Sequence, residues 1–169
     1  MPYIRSVDQQ AEPEEDRLEL LPGADPSCFI CQAVADSADR QRHVVQRGQR
    51  SIAILNRYPY NNGHLLVAPV LHRARLDQLE ADEHLELAQM VTRMIGFLEN
   101  ILQPQGFNVG LNLGRAAGAG LPGHLHWHVI PRWNGDTSFM TAIASVNVIP
   151  QSLDALWKAM VAESDRHGQ

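Results

Sequence analysis

The stretch "LPGHLHWHVIPRW", Leu121 to Trp133, places histidines at 124, 126 and 128 with apolar or aromatic residues between them. Strict alternation of polar and apolar side chains is the period of a β-strand, whose successive residues point to opposite faces. The segment therefore reads as a half-buried strand. His124, His126 and His128 share one face, and Leu125, Trp127 and Val129 take the other, against a core. Pro122 and Pro131 bracket it where ladder hydrogen bonds are least needed. At about 3.3 Å per residue, the first and third imidazoles rise from backbone positions roughly 13 Å apart. Zinc–nitrogen bonds are only about 2 Å long, which disfavours one metal holding all three. The three rings are expected to divide the work. The alternative is a polar strand face that happens to be rich in histidine.

Composition narrows what such a face serves. A chain of 169 residues can bury one sizeable core. Its formal net charge of −5 argues against a general nucleic-acid surface, which would need clustered Lys and Arg. Lys158 is the only lysine, so an anionic group would be met by arginine, histidine or backbone N–H groups. No apolar run approaches a membrane span, and the N-terminus lacks the basic-then-apolar layout of a signal peptide; a cytoplasmic protein is expected. Two cysteines cannot build a disulfide framework. Their CxxC spacing, Cys28 and Cys31, suggests metal or redox chemistry.

Working outward, residues 1–27 are acidic and proline-containing, with "QQAEPEED" reading as a flexible tail. Residues 28–169 read as one domain. "CFICQAVADS" opens a short helix. "HVVQRGQRSIAILN" makes two strands about a tight Arg47–Gly48 turn, and "GHLLVAPV" a third after the turn-rich "NRYPYNNG". Leu85, Ala88, Val91, Ile95, Leu98 and Leu102 follow helical spacing, closed by Pro104 and Gly106. "GFNVGLNL" is another strand, "GRAAGAGLPG" a glycine-rich loop, and "SLDALWKAMVAES" a closing helix with Ser152 as a cap and Trp157 packing inward. Strands joined mainly by hairpins around one long helix imply an α+β fold on an antiparallel sheet.

The segment "GHLHWHVIP" fits the HφHφHφφ pattern (φ apolar), and the chain resembles the histidine triad superfamily of nucleotide hydrolases and transferases. "CFIC", "ILNRYPYNNGHLLVAPVLH", "GFNVGLNLG" and the glycine-rich loop join it in the family's order, from about Cys28 to Pro150. Within the superfamily these pieces most resemble a bacterial branch containing diadenosine tetraphosphate phosphorylases. The resemblance implies that the middle histidine, His126, attacks an α-phosphorus and forms a nucleotidyl-histidine intermediate, which an acceptor resolves. The resemblance also implies that a nearby backbone carbonyl orients its other nitrogen and that His128 helps stabilise charge on the leaving oxygen.

The glycine-rich loop makes sense as a phosphate cradle, because glycines let backbone N–H groups approach an anion. Gly118, Gly120 and Arg115 are its candidates, with Arg132 as a supplement. Where many relatives carry Gln or Ser just before the triad, this chain offers Ala119, Gly120 and Leu121. Asn112 matches a position that points to the scissile phosphate in relatives, or is an ordinary strand-end asparagine. Asn56 matches the position that holds ribose hydroxyls, though turn chemistry would also place an asparagine there. His64 is expected to support the active strand without reacting.

A CxxC pair supplies half of a tetrahedral zinc site. The resemblance implies His72 and His124 as the other ligands and a structural zinc. A redox pair or two buried free thiols are the rival readings. The expected activity is phosphorolysis of diadenosine tetraphosphate by a homodimer. Hydrolysis of dinucleoside polyphosphates or phosphoramidates, with water as acceptor, stands beside it, as does a nucleotide-binding sensor with negligible turnover.

Overall fold

The computed structural model describes residues 18–136 and 151–167. The acidic "QQAEPEED" stretch and residues 137–150 lie outside the described residues. A short helix α1 (Phe29–Ala35) and a single turn α2 (Asp39–Arg42) lead into β1 (Val44–Arg47), β2 (Ser51–Leu55) and β3 (Leu65–Pro69). A long helix α3 (Ala81–Leu102) connects to β4 (Gly106–Leu111), the glycine-rich loop and β5 (Trp127–Arg132), and α4 (Leu153–His167) closes the described chain. The five strands form one sheet in the order β1-β2-β3-β5-β4, and every pairing is antiparallel. The expected α+β architecture is what the chain adopts. No helix among the described residues is long and apolar enough to cross a membrane.

The sheet is covered on both faces at β2 and β3, which explains why "SIAIL" and "LLVAP" are buried at every position. Ala53, Leu55, Leu65, Val67, Leu125 and Val129 join Leu87, Met90, Met94 and Leu98 of α3 and Leu156 and Met160 of α4 in the main core. Ile52, Ile54 and Ala68 point the other way, against Ile30 and Ala33 of α1. The β1–β2 connection is the three residues Gly48 to Arg50, starting one residue later than the expected Arg47–Gly48 turn. It is closed by a Gly48 N–H to Ser51 carbonyl bond of 2.8 Å and held to α3 through Glu86, which accepts from the Arg50 N–H and the Ser51 hydroxyl.

Helix α3 keeps most of the row read from the sequence: Leu98 is in the main core and Val91, Ile95 and Leu102 pack against it. Its buried apolar residues are Leu87, Met90, Met94, Phe97 and Leu98, while Leu85 is 60% exposed and Ala88 faces solvent. The packed face widens toward Leu87, Met90, Met94 and Phe97, and only the first members of the spaced row, Leu85 and Ala88, turn out to solvent. The helix starts at Ala81 after a reciprocal Glu80–Glu83 capping box, and stops at Gln103 in the left-handed conformation. Ser152 caps α4 through its hydroxyl to the Ala155 N–H, 3.2 Å. Trp157 donates its indole N–H to the Val44 carbonyl at 2.7 Å, sealing β1 against α4.

The histidine segment also differs from a simple strand. Ladder pairing begins only at Trp127, because the backbone before it is bonded elsewhere: the Leu125 N–H goes to the Arg73 carbonyl. Side-chain alternation survives, with Leu125 and Val129 in the core. Pro131 sits inside β5 and not at its boundary. It pairs with Phe107 of β4, whereas pairing with β3 stops at Val129, so its missing N–H leaves no ladder gap.

Gly63 stands just before β3 with φ +81°, and an added Cβ would lie 2.7 Å from Leu102, 2.9 Å from Pro131 and 3.0 Å from Leu98. Gly63→Ala combines left-handed strain with overpacking, so a loss of about 2–4 kcal/mol is expected in urea unfolding. An unchanged midpoint would show that the turn can relax.

Candidate active site and metal centre

The proton positions of the histidine row follow from donors whose identity is fixed. The Tyr60 backbone N–H donates to Nδ1 of His64 at 3.1 Å, and a backbone amide can only donate. The Asn56 amide nitrogen also approaches that atom, at 3.2 Å. Its orientation is set because Asn56 Oδ1 accepts the Tyr58 N–H. His64 therefore carries its proton on Nε2, and donates it to Nδ1 of His128 at 2.9 Å. His128 in turn carries its proton on Nε2. That N–H is buried and has no hydrogen-bond partner among the described residues. A buried unsatisfied donor costs roughly 1–3 kcal/mol, so it is suited to an incoming acceptor.

His126 is oriented the opposite way. Its Nδ1–H donates to the His124 carbonyl at 2.8 Å, which leaves the Nε2 lone pair outward. The His126 and His128 rings meet edge to face with centroids 5.0 Å apart. A lone pair and a directed N–H donor thus stand side by side, the combination needed to attack an electrophile and stabilise the group that departs.

His124 does neither. It is fully buried, donates Nε2–H to the Pro69 carbonyl at 2.9 Å, and turns Nδ1 to Cys28 Sγ at 3.3 Å and Cys31 Sγ at 3.5 Å. His72 brings Nδ1 to Cys31 Sγ at 3.2 Å. The donor atoms of Cys28, Cys31, His72 and His124 all lie within 4.8 Å of one another, a group that could hold a metal ion. Tetrahedral zinc with nitrogen and sulfur arms has ligand–ligand edges of roughly 3.3–3.8 Å, and the three close contacts, 3.2 to 3.5 Å, come near them. The pair of ring N–H to backbone carbonyl and free Nδ1 on His124 is also the outer-shell arrangement usual for a metal-bound imidazole.

Burial dominates the electrostatics. It pushes His64 down to about 3, helped by the neighbouring His128 and His126. It lowers His128 as well, again with His126 contributing. His124 falls to about 4, chiefly by burial, and the Cys28 thiol rises to about 11 for the same reason. Below the ordinary histidine value of about 6.5, the unfolded chain takes up a proton at position 64 that the folded chain refuses. Stability should fall from there until the pH reaches about 3, where folded His64 also protonates. The slope contributed is at most about 1.4 kcal/mol per pH unit. Urea unfolding across this range should show a shallower decline for His64→Asn, and identical slopes would remove His64 as the source.

The other residues singled out from sequence are arranged around this row. Asn56 closes its own turn and touches His64. The register of β4 on β5 ends with Leu111 opposite Trp127, and Asn112 follows directly, at the end of the ladder where His126 precedes β5. Asn112 reaches the Gly118 carbonyl at 3.5 Å. Gly118, with φ +84°, ends a single 3-10 turn (Arg115–Ala117), and Arg115, Gly118 and Gly120 are exposed. Arg132 is not free for phosphate. It forms a two-point ion pair with Asp136 (2.6 and 2.7 Å) and donates to Asn108 at 2.6 Å. Tyr60 was not singled out: its ring stacks on His64 and His128, and only its place four residues before His64 in a turn-rich run hinted at that.

A family model described as "HIT domain" matches residues 37–135. The AP-4-A phosphorylase of Mycobacterium tuberculosis is 47% identical over 152 residues, covering 90% of this chain and 76% of that protein. The adenosine 5'-monophosphoramidase of Schizosaccharomyces pombe is 30% identical over 133 residues, covering 77% of this chain and 92% of that protein. Among solved structures, a Zn-bound histidine triad family protein from Mycobacterium smegmatis aligns with a TM-score of 0.68 at 25% identity, covering 84% of this chain and 96% of that one.

Proposed function

The chain belongs to the HIT domain family, and from that premise we propose that it cleaves diadenosine tetraphosphate by phosphorolysis through a nucleotidyl-histidine intermediate. The observation that carries this reading is the opposed protonation of two adjacent rings: His126 with an outward Nε2 lone pair, His128 with a buried Nε2–H. His126 Nε2 attacks the α-phosphorus and a nitrogen–phosphorus bond forms. The bond to the bridging oxygen breaks, and ATP leaves with the electron pair while the His128 Nε2–H donates to that oxygen. Inorganic phosphate then attacks the adenylyl-histidine from the vacated side, restoring neutral His126 and releasing ADP. The His124 carbonyl holds the His126 ring through both steps and stabilises its Nδ1–H as positive charge develops.

Asn112 and the backbone of the loop at Gly118 and Gly120, with Arg115, take the phosphate chain, and Asn56 takes the ribose hydroxyls. Supporting this, Asn112 and the loop are already joined by the Gly118 contact. Zinc is the cofactor read from the two thiolates and two imidazoles of Cys28, Cys31, His72 and His124, and with four protein ligands it cross-links structure instead of activating water. Two copies are taken to pair through β4, an edge strand whose Val109 is 46% exposed.

The test is to incubate the purified protein with diadenosine tetraphosphate, with and without inorganic phosphate, and separate the products. ADP plus ATP formed only with phosphate is the expected result. AMP plus ATP without phosphate would move the chain to the hydrolases, and tight nucleotide binding with no product would make it a sensor.

A further inference from the structure

Tyr60 is 58% exposed, yet both of its ends engage the histidine row. Its backbone N–H fixes the His64 tautomer. Its ring lies 5.0 Å from the His64 ring at 30° and 6.1 Å from the His128 ring at 26°, stacked on both. The loop that carries it is pinned nearby, with the Asn61 amide donating to the Pro131 carbonyl at 3.1 Å and to Asp136 at 2.9 Å. The ring therefore lies over the pair joined by the 2.9 Å His64–His128 hydrogen bond.

We propose that Tyr60 is a positioning residue for the leaving-group side of the reaction: its ring shields the His64–His128 hydrogen bond from water and so keeps His128 presenting Nε2–H to the departing oxygen. The inference rests on the reaction proposed above. A hydrogen bond between neutral imidazoles is strong only where water cannot compete for either nitrogen. With the ring gone, water can donate to or accept from His128 Nδ1. The ring then samples the tautomer whose Nε2 carries a lone pair, which repels the oxygen that takes the electron pair. The nitrogen–phosphorus bond forms and the phosphorus–oxygen bond breaks as before, and no proton is transferred in this role. The effect must scale with the basicity of the departing oxygen, because a weakly basic oxygen needs little stabilisation. The phenol hydroxyl has no part, so a phenyl ring suffices.

The test compares wild type, Tyr60→Phe and Tyr60→Ala on aryl esters of AMP whose phenols span a range of basicity, reading the first turnover. For Tyr60→Ala a loss of about tenfold or more is expected with the most basic phenol and under about twofold with the least basic, with Tyr60→Phe restoring the wild-type series. A loss that is uniform along the series, or none at all, would overturn the proposal. Nitrogen-15 NMR of the histidines gives a second readout. In wild type His128 should show a single tautomer protonated at Nε2, and in Tyr60→Ala an average of two. An unchanged tautomer in Tyr60→Ala would also overturn it. If wild type cleaves none of the esters, the reaction reading fails, and the NMR comparison alone decides whether Tyr60 governs His128.

Discussion

His126→Ala should lose at least about four orders of magnitude in turnover of diadenosine tetraphosphate while still binding nucleotide and unfolding at a near-normal temperature. The size follows from its role. Removing a covalent nucleophile leaves only the binding and electrostatic contributions, which in other covalent enzymes retain a small fraction of the acceleration. The fold is expected to tolerate it because His126 makes one side-chain hydrogen bond, to the carbonyl two residues earlier, and lies outside both apolar clusters. Losing the imidazole frees the His124 carbonyl but not His124 itself, which remains fixed to Pro69. His128→Ala should cost less, about a hundredfold to a thousandfold, because it removes stabilisation of a departing charge and leaves the bond-forming nitrogen intact. Rapid-quench trapping of labelled adenylyl-protein decides the matter. Wild type should accumulate label at one histidine in the absence of phosphate, and label retained in His126→Ala would assign the nucleophile elsewhere.

Replacing Cys28 or Cys31 with Ser should release bound zinc and lower the melting temperature by on the order of 10 °C, more than it disturbs the chemistry. The four ligands come from the start of α1, the segment after β3 and the approach to β5. An ion there ties three parts of the fold together, and structural zinc contributes directly to folding free energy. Loss of one thiolate should cost about 3–5 kcal/mol, which for a domain of this size corresponds to the stated temperature change. Turnover should fall only modestly, because the His124 to Pro69 hydrogen bond still locates the carbonyl that orients His126. Metal analysis of protein purified without chelators, alongside calorimetry of the variants, checks this. Wild type free of metal, with serine variants equally stable, would leave the cluster as two buried thiols beside two imidazoles.

The sheet was legible because its hairpins announce themselves: Gly48 between two apolar runs, and the "NRYPYNNG" turn before a buried strand. That the three imidazoles differ in task is an expectation from their spacing, and which ring takes which task is implied only by the resemblance. Of the partners the structure gives them, Pro69 and the cysteines, the His124 carbonyl and His64, only the carbonyl is local enough for a sequence pattern to encode. The packed row of α3 was legible from Val91 to Leu102 but its width was not, since Leu85 and Leu87 both fit an apolar row and only packing chooses between them. Arg132 looked available for phosphate because a sequence cannot show that Asp136 and Asn108 already occupy its guanidinium. Tyr60 and the protonation pattern of His64 and His128 depend on contacts between residues 60, 64 and 128. Those contacts exist only once β3 and β5 are paired.

Cys28 and His124 meet across 96 positions of the chain. An ion that joins them closes a ring enclosing β1 to β4, while the hairpins inside that ring need no such closure. The entropy of closing so long a ring grows only slowly with its length, so the barrier lies less in distance than in sequence of assembly. The early, local hairpins can form before the last strand arrives, and an ion bound between Cys28 and His124 would then hold the start of α1 against the approach to β5. Chains without the ion would keep the sheet and the His124–Pro69 bond but lose that tie, so they would come apart there before the hairpins do. The supply of zinc would then show in how long each molecule stays folded more than in how fast it works.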